Sequence, residues 1–331
     1  MLIYGLSFVL SLLISLYLTP VVREAAEMFK LVDRPDGMLK RHRQPIPYLG
    51  GVSVYVAVLV SLALTFEFDK QLLGLLLGGT LILLLGLIDD LGSLSPYAKL
   101  AGELIAALVL VKSGIKANIS FLPQWVSIAF SLFWIVLITN SINIIDVMDG
   151  LASGVAVICF FVFFYVALVN QRAVIAIVAV SMAGALLGFL RFNFEPAKIY
   201  LGDAGSLFIG CMLGSLSLIG EYTSINRIGL FAPVVILGVP LFDTFFVSYI
   251  RWKRGMPVFF GSPDHFALRL RKWRLSTRQT VLCSYGLTIL LGVAAVVMIH
   301  SSDMGALGVL VGVVLFGMGL GMFLKKIDMT M

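Results

Sequence analysis

Eleven apolar runs divide this chain, at about 2–22, 48–66, 72–88, 98–112, 124–143, 151–169, 173–190, 206–220, 228–250, 281–299 and 305–324. Most approach the ~20 residues an α-helix needs to cross a bilayer; the fourth and eighth are short. The pattern predicts an all-α polytopic membrane protein with eleven transmembrane helices in a single integral membrane domain, residues 1–331. Residues 2–22 lack a basic leader and a small-x-small cleavage site. They read as a retained span, not a signal peptide.

Acids and amides interrupt this pattern at the ends of runs. In NSINIIDVMDGLASG, residues 140–154, Asn140, Asn143, Asp146 and Asp149 recur every third residue. If the helix continues through them, they form one polar ridge. Polar and ionisable groups at membrane depth are costly and usually face a cavity or partners at a functional site. The third run ends in Asp89 and Asp90. Adjacent carboxylates repel, which raises the proton affinity of one. Such a pair can hold a divalent cation, accept a proton, or cap a helix. Lys99 follows, with Glu103 one turn on and placed for an i,i+4 ion pair. In RFNFEPAKIYLGDAGS, Gly202 and Gly205 flank Asp203 and allow tight backbone beside a helix N-terminus that can face an anion. Asp243 is a further acid within the ninth run.

Charge placement assigns the sides. Of 24 Lys and Arg, only Lys70, Lys112, Lys116, Arg172 and Arg227 fall on one side of the alternating loops. The other 19 fall in 23–47, 89–97, 144–150, 191–205, 251–280 and the C-terminal tail. Cytoplasmic loops carry such an excess. The expectation is therefore an N-terminus outside, a cytoplasmic C-terminus, and every polar motif at the cytoplasmic face. Composition agrees: 60% of residues are hydrophobic, 13% are charged, and mean hydropathy is +1.04. Cys159, Cys211 and Cys283 sit in apolar runs, without disulfide or zinc-ligand spacing.

Two basic loops complete the candidate set. Lys40, Arg41, His42 and Arg43 precede a segment stiffened by Pro45 and Pro47. They suit lipid headgroups or a substrate phosphate. Residues 251–280 interleave eight cations with aromatics around His265. A loop this short between spans fits the headgroups or the site better than nucleic acid. Carboxylate and amide oxygens suit Mg²⁺, which also binds substrate phosphates, and the cations suit phosphoryl oxygens. No P-loop, GxSxG or HExxH pattern is present. The residues thus point to Mg²⁺-dependent phosphoryl-type chemistry at a membrane face, with a lipid as one substrate.

These motifs, in this order and at span ends, resemble the polyprenyl-phosphate N-acetylhexosamine-1-phosphate transferase family (glycosyltransferase 4 type). That family includes the phospho-N-acetylmuramoyl-pentapeptide transferases. The resemblance implies transfer of a sugar 1-phosphate from a UDP-sugar to undecaprenyl phosphate in the inner (cytoplasmic) membrane, releasing UMP. It implies Mg²⁺, with Mn²⁺ as the alternative ion, contact with membrane lipids, and pairing into a homodimer. Asp89 matches the base that deprotonates the lipid phosphate, or the nucleophile of a two-step scheme, with Asp90 in support. Asp203 matches the metal ligand. Asp146 and Asp149 match the second acidic motif, and Asn193 and Tyr200 match residues that hold the uracil. Lys40, His42 and Lys99 match phosphate-facing positions, and His265 matches the late histidine motif. Val147 replaces a glycine of the family pattern. Ala267 and Leu268 stand where further histidines would be, so Arg269 is expected to serve the diphosphate. The reduced histidine cluster favours GlcNAc 1-phosphate transfer over the muramoyl-pentapeptide reaction. A proton-coupled transporter is the rival from another class, but no internal repeat is visible and the acids gather at one face. A CDP-alcohol phosphotransferase lacks its signature here.

Overall fold

The computed structural model describes residues 1–33, 45–92, 94–118, 123–256, 263–327 and 329. Every apolar run is helical. In order they are α1 (Leu2–Met28), α2 (Gly50–Thr65), α3 (Lys70–Gly92), α4 (Pro96–Lys112), α5 (Gln124–Ile145), α6 (Leu151–Val169), α7 (Ala173–Asn193) and α8 (Gly202–Ile219). A 3₁₀ turn (Ile228–Phe231), α9 (Ala232–Ile236) and α10 (Gly238–Lys253) follow. Then come α11 (Phe266–Trp273), α12 (Thr277–His300) and α13 (Asp303–Lys325). The molecule is a multi-pass membrane protein.

Among the described residues, eight helices are long and apolar enough to cross a membrane. The segment from Ile228 to Lys253 bends by 76° and makes a ninth if taken as one span. The remaining two runs form the shorter helices α2 and α4, of 16 and 17 residues. Proline sets both starts. Pro45 and Pro47 hold the chain extended before α2, and Pro96 sits in the first turn of α4, where its missing N–H costs nothing.

Helices α7 and α8 form the centre and are largely buried, whereas α13 is hardly buried at all. Lipid offers no hydrophobic drive for helices to associate, so close packing and interhelical hydrogen bonds do that work. Helix α1 shows how. Its buried residues are Ser7, Ser11, Ser15, Thr19 and Ala26. Ser7 Oγ meets Ser61 Oγ of α2 at 2.9 Å and Ser181 Oγ of α7 at 2.6 Å, and Thr19 meets Ser53 at 3.0 Å.

One small backbone element positions the polar end of the bundle. Strands β1 (Val32–Asp33) and β2 (Ile46–Pro47) pair antiparallel. Just beyond them, Tyr200 N donates to Pro47 O (2.8 Å), Gly50 N to Tyr200 O (3.0 Å) and Gly51 N to Leu201 O (2.9 Å). The α1–α2 connection is thereby stitched to the α7–α8 connection. The helices then touch: a Cβ on Gly51 would lie 2.2 Å from Gly205 Cα.

Candidate active site

Helix ends converge on the site: α3, α5 and α7 by their C-termini, α4, α6 and α8 by their N-termini. Asp90 organises one side of it. Its Oδ1 accepts from Asp203 N (2.8 Å) and its Oδ2 from Ala204 N (3.0 Å), capping α8 from a different helix. A carboxylate there satisfies N–H groups that have no partner within the helix and faces the positive end of the helix dipole. Gly202 makes the approach possible. Its φ is +75°, and a Cβ would stand 2.7 Å from Asp90 Oδ2. Asp90 therefore positions Asp203, and both of its oxygens are occupied in doing so.

Asp89 points elsewhere. Its Oδ1 accepts from Leu94 N (2.6 Å), and its Oδ2 pairs with Lys99 Nζ (2.9 Å). The same ammonium lies 3.2 Å from Asp203 Oδ1 and 3.5 Å from Asn143 Oδ1. Lys99 thus bridges the two acids across 114 residues of sequence. The expected Lys99–Glu103 ion pair is not made. Two carboxylates draw the lysine upward, and Glu103 instead accepts from Asn140 Nδ2 at 2.5 Å.

The ridge of four polar residues holds only in part. Helix α5 stops at Ile145, and Asp146 caps it with φ −76° and ψ 58°. Asn140 and Asn143 remain on one face but serve different partners. Asn143 Nδ2 donates to Asp203 Oδ1 (2.5 Å) and Ser206 Oγ (2.9 Å). Asp146 and Asp149 leave the helix in a turn, and Asp149 Oδ2 accepts from Ala197 N (2.8 Å). Asp146 is half-buried. Burial, then the negative charges of Asp203, Asp149 and Asp90, push its carboxyl up to about 7. Tyr200 stands near the same acids. Burial, followed by Asp149, Asp33 and Asp146, raises its phenol above the usual range.

Asn193 departs from its expected uracil contact. It is 3% exposed. Its Oδ1 accepts from Gly150 N (3.1 Å) and Ser153 Oγ (2.7 Å), and its Nδ2 donates to Ile199 O (3.0 Å). The carboxamide is engaged at both ends, so Asn193 clamps the start of α6 to the α7–α8 connection. Tyr285 of α12 supports the same turn, donating to Gly150 O at 2.5 Å. Nothing in the sequence singled out that tyrosine.

A second polar cluster lies on α10 and α11. Asp243, fully buried, accepts from Phe266 N (2.8 Å) and pairs with His265 Nδ1 (2.7 Å). Asp264 takes Arg254 through both oxygens, at 3.1 and 3.0 Å, and Arg269 at 2.5 Å. Arg269 also donates to Leu324 O (3.1 Å) and Ile327 O (2.6 Å) and lies over the Phe246 ring. It is 1% exposed. Its expected role at the diphosphate is corrected: the guanidinium is sealed in the protein and ties α11 to the end of α13. Asp264, which makes this possible, escaped notice, although it is the only acid in 251–280. Lys40 and His42 lie outside the described residues.

Among the described residues, no group of three or more His, Cys, Asp or Glu side chains converges as a metal cage. The acids at hand still suit Mg²⁺. Asp203, with a side chain 34% exposed, and Asp146 are hard oxygen donors from different elements. Mg²⁺ typically takes one or two carboxylates and fills its other positions with water and substrate phosphate.

Residues 72–221, which carry most of this site, match the sequence profile of glycosyl transferase family 4. A Bacillus subtilis protein named "probable undecaprenyl-phosphate N-acetylglucosaminyl 1-phosphate transferase" is 34% identical over 301 residues, covering 88% of this chain and 84% of its own. The chain belongs to glycosyl transferase family 4. A decaprenyl-phosphate N-acetylglucosaminephosphotransferase of Mycolicibacterium smegmatis is 32% identical over 282 residues, covering 74% of this chain and 70% of its own. A phospho-N-acetylmuramoyl-pentapeptide-transferase of Bacillus cytotoxicus is 29% identical over 320 residues, covering 88% and 95%. The expected family resemblance thus holds, and these GlcNAc-phosphate relatives are more similar in sequence than the muramoyl relative.

Proposed function

We propose that this protein transfers N-acetylglucosamine 1-phosphate from a UDP-sugar to undecaprenyl phosphate in the inner (cytoplasmic) membrane, releasing UMP and using Mg²⁺. The observation that carries the reading is the Lys99 bridge between Asp89 and Asp203 at converging helix ends. A site that joins a lipid phosphate to a nucleotide diphosphate needs oxygen donors for a cation, a positive charge for phosphate, and a base. These helix ends supply all three.

Asp203, with Asp146 alongside, is the proposed seat of Mg²⁺. The ion supplies charge neutralisation at the diphosphate. Asp89 takes the proton of the lipid phosphate at Oδ2, the oxygen that faces Lys99 and not the backbone. Lys99 supplies the positive charge that draws the lipid phosphate toward Asp89. Asp90 and Asn143 fix Asp203, and Asp149, Asn193 and Tyr200 shape the adjoining nucleotide side. The 19 cations on one set of loops support the finer topology: eleven crossings, an outside N-terminus, a cytoplasmic C-terminus and a cytoplasmic site.

The test is UMP release by purified protein with undecaprenyl phosphate, Mg²⁺ and a panel of UDP-sugars, beside Asp203→Ala and Asp89→Asn. Lipid-dependent release with UDP-GlcNAc, lost in both variants, is the expected result. Release only with UDP-MurNAc-pentapeptide would move the protein to the muramoyl branch. No release with any donor from folded protein would overturn the assignment.

A further inference from the structure

Glu103 sits one helical turn beyond Lys99 and is 2% exposed. One of its oxygens accepts from Asn140, while Oε1 is buried with no hydrogen-bond partner. A buried carboxyl oxygen left unpaired is costly and calls for an explanation. Four residues away on the same helix face, the Lys99 ammonium is held by Asp89 and Asp203.

From this juxtaposition we propose that Glu103 is the second seat of the Lys99 side chain. The ammonium bridges Asp89 and Asp203 in the metal-free enzyme, and turns toward Glu103 Oε1 when a divalent cation binds Asp203.

The inference rests on the Mg²⁺ reading above and deepens it. Asp203 Oδ1 accepts from both Lys99 and Asn143. A dication and an ammonium on one carboxylate repel each other strongly in a partly dry site. The lysine stem is flexible and carries three N–H donors. Moving one turn along its own helix keeps the charge paired and releases Asp89 Oδ2. In this scheme Glu103 is a positioning residue. It acts on metal binding only through Lys99, and the freed Asp89 oxygen becomes the acceptor that the transfer reaction needs.

The test is Mn²⁺ binding to detergent-purified protein, read by electron paramagnetic resonance of free Mn²⁺ with Mg²⁺ as competitor, and needs no turnover. Glu103→Gln keeps the shape and an acceptor for Asn140 but removes the charge. It should weaken Mn²⁺ binding about tenfold, because the displaced lysine loses its partner. Lys99→Gln should tighten binding, and in that background Glu103→Gln should change nothing further. A Glu103→Gln variant with wild-type affinity would overturn the switch. So would an equal loss in the presence and absence of Lys99, since Glu103 would then act on the ion directly. If wild-type protein binds neither ion, the metal reading itself fails and the switch falls with it.

Discussion

The two polar clusters use the same residue types to opposite ends. On α10 and α11, two acids face three cationic or imidazole groups. Asp243 and Asp264 are sealed, and Arg269 divides its donors among a carboxylate and three backbone carbonyls. At the ends of α3, α5 and α8, acids outnumber cations among the described residues. Asp89 and Asp203 share Lys99, Asp90, Asp146 and Asp149 stand close by, and Asp203 stays partly open. A cluster whose charges balance internally holds helices together. One left with surplus negative charge is prepared for something positive to arrive. The contrast separates structural charge from functional charge where residue identity alone does not.

The largest effect that tests this contrast is on activity. Asp203→Ala should lower kcat on the order of 10³-fold while the protein keeps its melting temperature. A comparable loss of melting temperature would make Asp203 a structural acid like Asp264. Arg269→Ala should do the reverse. Breaking this buried pair, and leaving the Leu324 and Ile327 carbonyls without their donor, costs about 3–5 kcal/mol, so thermal unfolding should shift sharply. A raised KM for the UDP-sugar in a protein of unchanged stability would instead restore Arg269 to the diphosphate.

Asn193→Ala is expected to be milder. It leaves the Gly150 N–H and Ile199 carbonyl without a partner, at about 1–3 kcal/mol. A melting curve identical to wild type, with weaker UDP binding by calorimetry, would favour direct contact with uracil.

The effect confined to one pH range concerns Asp146. Its carboxyl is raised from 3.8 to about 7 in the folded protein. The folded state therefore binds its proton more tightly than the unfolded chain does. The stability this gives is present at low pH and lost as pH rises from about 4 through 7. Asp146→Asn should therefore raise the melting temperature of metal-free protein at pH 8. It should leave it unchanged at pH 4. A gain at both pH values would mean that charge is not the cause.

Much of this was legible in the chain. Each of the eleven apolar runs became helical, because length and composition alone decide where a helix can meet lipid. The acids at run ends did gather, where the C-terminal ends of α3 and α5 meet the N-terminal end of α8. Partner choice was not legible. Lys99 and Glu103 are ideally spaced to pair, yet Lys99 goes to Asp89 and Asp203, one of them 104 residues away. Local spacing offers one exposed-type ion pair, whereas the folded site offers two carboxylates at once. The burial of Arg269 is hidden in the chain for a related reason: it depends on the end of α13, more than 50 residues downstream.

The sequence by itself determined the helices, their alternation and the polar end of the bundle, because these follow from hydrophobic periodicity and the cost of burying charge in lipid. Only the tertiary structure decided which acid is anchored, which is bridged and which cation is sealed. Those outcomes are set by distances between helix ends, and electrostatic and hydrogen-bond energies depend on distance in space, not along the chain.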